Sequence, residues 1–154
     1  MLFRRAVLAA FALALPARGA EQSLRAFDQA EVAPSKTSIY VGSVALTVSK
    51  LTRTQGGFST AYTAKVFPYF FYNENGTLSI DFTDDMLRQL ERGEAVEFKG
   101  RAVRTDGDAR PVEGKATPID AAHGKVKVRV FYSKRIELIF NTTYRFPEVE
   151  SPAR

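Results

Sequence analysis

The 154-residue sequence contains no cysteine, no tryptophan and only one histidine. Without cysteine there can be no disulfide, no thiolate zinc site, no cysteine nucleophile and no lipid-modified cysteine of the bacterial lipoprotein kind. With one histidine, a histidine-rich metal site is excluded, and any Ser-His-Asp arrangement has to use His123. Long hydrophobic runs are also missing. The run from Ala6 to Leu15 is about half of the roughly 20 apolar residues that a membrane-crossing helix needs.

That short run is nevertheless informative. Arg4 and Arg5 precede it, Pro16 breaks it, and the small residues Ala17, Gly19 and Ala20 follow, which is the order of a secretory signal peptide. Cleavage after Gly19 places Ala17 and Gly19 at the two positions the peptidase reads, whereas cleavage after Ala20 would put Arg18 at one of them. The expected signal is therefore 1–19. The Arg4-Arg5 pair resembles the core of a twin-arginine signal, although no Ser or Thr flanks it. Removal takes away Arg4, Arg5 and Arg18 and no acid, so the formal charge falls from +5 to +2. Nucleic-acid binding, which needs a basic patch that survives maturation, is not expected. About 135 residues remain, enough for one core resting on its own packing.

The segment 20–36 reads as an N-terminal arm or short helix, with Leu24, Phe27, Ala30 and Val32 near helical spacing until Pro34. A β domain follows over 37–146, and 147–154, with two prolines and two glutamates, reads as a disordered tail. Ser38 to Leu51 predicts one long strand with a bulge at Gly42, and Phe58 to Val66 predicts a second. Asn75-Gly76 signals a hairpin turn, which would pair Thr77–Phe82 with Tyr69–Tyr72. One helix is expected over about 84–92. Thr83 caps it, Asp84 and Asp85 sit at its positive end, Met86, Leu87 and Leu90 form its apolar face, and Gly93 stops it.

Two cleanly alternating hairpins complete the domain. In the first, Val96, Phe98, Gly100 and Ala102 share a face with Val112, Gly114 and Ala116. A three-residue Thr105-Asp106-Gly107 loop then sets Lys99 opposite Glu113, Glu97 opposite Lys115, Arg104 opposite Asp108 and Phe98 opposite Gly114. In the second, Val126 to Tyr132 is answered by Ile136 to Phe146 across Ser133-Lys134-Arg135, with Lys125, Lys127 and Arg129 on the wet face. About eight strands without a βαβ rhythm predict a mainly β fold, a single antiparallel β-sandwich or closed β-barrel.

Candidate chemistry is sparse. His123 lies in Ile119-Asp120-Ala121-Ala122-His123-Gly124, which reads as an Asp120-capped helical turn between strands. A hydrolase or isomerase using it lacks a nucleophile motif. Asp106-Gly107-Asp108 lacks the later ligands of a calcium loop, and no cofactor or metal site is expected. The aromatic run Phe67, Tyr69, Phe70, Tyr72 supplies the ligand- or partner-binding candidates, with Phe70 and Tyr72 pointing away from the core. The competing and favoured reading has the helix, or the arm carrying Phe27, covering them. Two functions follow as expectations. One is an exported, periplasmic or secreted module that binds a small apolar ligand or an envelope protein. The other is a small outer-membrane barrel suggested by the apolar last strand.

Overall fold

The computed structural model describes residues 27–147, so the signal segment and residues 148–154 of the tail lie outside the described residues. In chain order the elements are β1 (Gln29–Val32), β2 (Ser35–Ile39), β3 (Gly42–Val48), β4 (Leu51–Thr54), β5 (Gly57–Phe67) and β6 (Glu74–Asp81). The helix α1 (Asp84–Glu91) follows, then β7 (Val96–Arg104), β8 (Ala109–Pro118), β9 (His123–Phe131) and β10 (Glu137–Arg145). Every pairing is antiparallel, and the ring β1-β10-β9-β8-β7-β6-β5-β4 closes on itself. The fold is a closed eight-stranded β-barrel, with β2 and β3 as two extra strands.

The β7–β8 hairpin has the register its charges predict: Glu97 faces Lys115, Lys99 faces Glu113, and Phe98 faces Gly114. Gly107 takes a left-handed φ of 100° in the three-residue loop, a conformation that costs glycine little. Its loop is closed by the Arg104 amide donating to the Asp108 carbonyl at 2.7 Å. The β9–β10 hairpin likewise keeps Val126, Val128 and Val130 opposite Thr142, Phe140 and Leu138. Pleat alternation turns these residues inward and Lys125, Lys127 and Arg129 outward.

Three local expectations are corrected. The segment 29–32 is strand β1 rather than helix, because Ala30 and Val32 gain ladder partners in Leu51 and Tyr144. The long strand over Ser38–Leu51 is instead a β2–β3 hairpin turning at Tyr40-Val41. Gly42 is its closing residue, with φ 118°, and not a bulge. Asn75-Gly76 is not a turn but lies within β6, where Gly76 pairs with Tyr62 on one side and Arg104 on the other. A side chain at Gly76 would overlap the Val103 carbonyl, so the glycine serves close strand approach. Tyr69–Tyr72 forms no strand: Phe70–Tyr72 is a single 3₁₀ turn in the β5–β6 loop.

Helix α1 closes one end of the barrel. Thr83 accepts a hydrogen bond from the Met86 amide at 3.2 Å, and Leu87 and Leu90 are buried among Phe82, Val96 and Phe98. Phe27, Phe58 and Phe146 join this cluster, with Phe27 and Phe146 edge to face at 4.7 Å. The dense core therefore occupies the helix end. At the opposite end the interior is open.

Candidate functional site

The open end is made by four connections: the Tyr40-Val41 turn, the loop after β5, the β7–β8 turn and the β9–β10 loop. Between them lies a cavity of about 850 Å3. Its wall is largely inward-facing aliphatic, including Leu46 and Val66, Leu78 from β6, Val112 from β8, and Val128 and Leu138 from the last hairpin. A smaller space of about 60 Å3 lies deeper, against Phe98 and Val126.

The hydrogen-bond ladder of the wall is also interrupted lengthwise. β1 pairs with β10 only near the helix end, and the last backbone link between these walls is the Ala33 amide donating to the Thr143 carbonyl at 3.0 Å. Beyond it β2 is hydrogen-bonded to β3 and not to β10, although the two strands still run close together. Ile39 and Tyr40 on one side, and Ile136 and Leu138 on the other, line the cavity at this seam.

One polar cluster is built into the apolar wall. Glu74 and Arg110 occupy inward positions of β6 and β8, and their side chains are only 9% and 11% exposed. Arg110 donates from Nε to Glu74 Oε1 at 3.1 Å and from Nη2 to Oε2 at 3.0 Å, a two-pronged geometry that fits guanidinium to carboxylate. Its Nη1 donates to the Tyr132 carbonyl at 2.9 Å, and the guanidinium lies over the Tyr132 ring at 3.9 Å. Tyr62 Oη donates to Glu74 Oε1 at 3.2 Å, and Arg104 approaches Oε2 at 3.6 Å. Burial, and secondarily the Glu74 charge, push the Tyr62 phenol up to about 12. Arg104 also meets Asp106 at 3.4 Å, so two cations answer two carboxylates. The cluster satisfies itself and leaves the remaining lining to apolar contact.

Sequence patterning misses this cluster, yet Arg110 shares the parity of Val112, Gly114 and Ala116 and extends their inward row by one step. Glu74 is hidden because the Asn75-Gly76 dipeptide beside it has the composition of a turn.

The four aromatic candidates stand together at the rim, and the covering reading is overturned. Phe67, Tyr69, Phe70 and Tyr72 are 73%, 37%, 74% and 57% exposed. Helix α1 and Phe27 pack at the other end, so they cover none of them. Tyr69 and Tyr72 line the cavity mouth. Phe71 ties the group together, with ring centroids 6.0 Å from Tyr69, 6.1 Å from Phe70 and 4.7 Å from Tyr72. Strand parity would put Tyr69 and Phe71 in the core, but no strand exists there to enforce it.

His123 lies elsewhere. It opens β9 beside the closed end, with Nδ1 2.6 Å from Asp120 Oδ2. Asp120 Oδ1 accepts the amides of Ala122 and His123 at 2.8 and 2.9 Å, and these bonds hold its carboxyl below the usual aspartate value. The linker is a bend capped by Asp120, not a helical turn. Neither residue lines the cavity. Among the described residues no group of His, Asp or Glu is arranged to hold a metal, and no helix is long and apolar enough to cross a membrane.

These features define a small antiparallel β-barrel with an apolar interior cavity opening beside an aromatic loop. The chain matches no family model, no curated protein and no solved structure.

Proposed function

We propose that the chain is an exported binding module that holds a small apolar molecule inside the barrel. The observation that carries this reading is the cavity of about 850 Å3, lined chiefly by aliphatic side chains at the end of the barrel opposite the helix. A space of that size falls within the range of small-molecule pockets, and a few fixed polar groups in an apolar wall are their usual composition. The signal-like order of Arg4-Arg5, the apolar run and the small residues before Ala20 supports export, with a periplasm as the destination. The wall pattern weighs against the outer-membrane alternative. Lipid-spanning barrels carry an apolar band outside and polar residues within, whereas here Lys99, Glu113, Lys125 and Lys127 face out and valine and leucine face in. The remote placement of His123 weighs against a hydrolase or isomerase.

Native mass spectrometry of protein gently purified from the exported fraction tests the reading, together with uptake of the fluorescent probe N-phenyl-naphthylamine. An apolar adduct or saturable uptake is expected, and Ala64→Trp, which puts an indole into the cavity, should abolish uptake. A bare protein that takes up no probe would sink the proposal.

A further inference from the structure

Large apolar side chains exposed on the barrel are not scattered. Among the described residues, Tyr40, Val41, Phe67, Tyr69, Phe70, Phe71, Tyr72 and Ile136 all belong to the open end, and only Ile119 and Ile139 lie elsewhere. The hairpin tip and the aromatic loop adjoin, since a side chain on Gly42 would overlap the Phe67 carbonyl and reach Pro68. Ile136 completes the rim from the far side of the cavity. An aromatic and aliphatic crown around three of the four connections of the open cavity, interrupted at the polar β7–β8 turn, is a surface that water does not favour.

Exposed cations stand at the same end. Lys134 and Arg135 precede Ile136 in the rim loop, and Lys65 stands on β5 two residues before Phe67. Of the rim acids Asp106 pairs with Arg104 and Glu137 with Arg129, leaving Asp108, while the closed end mixes Asp84, Asp85 and Glu91 with Arg53, Arg88 and Arg92. Aromatic rings flanked by lysine and arginine suit the interfacial zone of an anionic bilayer. A protein partner fits less well, because the crown surrounds a hole rather than a continuous face.

We propose that the open end docks on an anionic lipid bilayer, with the Phe67–Tyr72 loop inserted at the headgroup level and Lys134 and Arg135 against lipid phosphates. This rests on the reading of the chain as an exported module and adds the surface it meets. Docking does not require an occupied cavity, so the two proposals can fail separately.

The sequence has no tryptophan, which makes a single introduced indole a clean reporter. Phe70→Trp and, at the closed end, Ile119→Trp are placed separately in the full chain and mixed with vesicles of phosphatidylethanolamine and phosphatidylglycerol containing brominated acyl chains. The indole at position 70 should shift to the blue and be quenched, and the one at 119 should not. Comparing positions separates docking by the crown from attachment through the N-terminal apolar run, which would leave position 70 unquenched. Phe71→Ala in the Phe70→Trp background should weaken vesicle binding about tenfold or more, the scale of losing one buried phenyl ring. Lys134→Glu with Arg135→Glu should weaken it several-fold on anionic vesicles. An unquenched position 70, or equal quenching at both positions, overturns the proposal. So does a blue shift at position 70 that grows with protein concentration without vesicles, which would make the crown an interface between copies.

Discussion

Glu74 and Arg110, thirty-six positions apart, meet inside the barrel through two hydrogen bonds of 3.1 and 3.0 Å. The pair joins β6 to β8 across β7 and lies at the cavity wall. Arg110→Ala would leave the Glu74 carboxylate largely buried with only Tyr62 and Arg104 beside it. Unfolding in urea should show a loss of about 3 kcal/mol, the scale for breaking a buried pair by removing one partner. Glu74→Leu combined with Arg110→Met should recover most of that loss, since apolar replacements of both partners strand no charge. A double variant as unstable as the single one would refute this account.

Gly114 leaves room for the Phe98 ring, which crosses the bare backbone of the facing strand. A methyl group there would overlap the ring, and the neighbouring strands allow little relief. Gly114→Ala is expected to cost about 1–3 kcal/mol by overpacking, and Phe98→Leu in the same chain should be less than additive. Thermal denaturation of the two single variants and the double variant measures the coupling.

Tyr144 is buried against Phe146, with ring centroids 5.6 Å apart, and its hydroxyl has no hydrogen-bond partner. Removing an unsatisfied hydroxyl removes its desolvation cost, so Tyr144→Phe should be neutral or stabilising by up to about 1 kcal/mol. Gly124→Ala should destabilise, because its methyl group would lie 2.6 Å from the Tyr144 hydroxyl. A destabilised Tyr144→Phe protein would show that the hydroxyl has a partner.

Tyr62 and Tyr144 are both pushed up to about 12, in each case first by burial and then by a nearby carboxylate, Glu74 or Asp120. The unfolded phenols ionise near 10. Both groups are neutral in both states below that value, so their contribution to stability is fully present there. Between about 10 and 12 the unfolded chain loses these protons first and stability falls, the loss being complete above the folded values. Absorbance titration of the native protein should show two of its six tyrosines ionising late. Tyr62→Phe should flatten part of the alkaline decline in the denaturation midpoint.

Much of β7 to β10 is legible from residue order alone. Alternation, the Gly107 loop and complementary charges at Glu97, Lys99, Glu113 and Lys115 agree on one register, and that register is present. The helix is equally legible, because Thr83, Asp84, Asp85 and Gly93 mark its ends through local backbone chemistry. The first half of the barrel is harder to read. Asn75-Gly76 favours a turn in isolation, but here its glycine meets the close backbone of β7, a contact about 27 residues away in sequence. The aromatic run has the composition of a strand, but Phe67 ends β5 and the chain turns at Pro68.

By itself the sequence determined an alternating β chain with one capped helix and no cysteine or histidine chemistry beyond His123. Those properties depend on residue identity and on spacings of two to four residues. Only the tertiary structure decided between sandwich and barrel, left the open end hollow, and turned Glu74 and Arg110 towards each other. Closure depends on β1 reaching both β4 and β10, pairings between distant segments that no local pattern encodes. The end of the β1–β10 ladder at Ala33 is likewise set by the β2–β3 pairing that takes over beyond it.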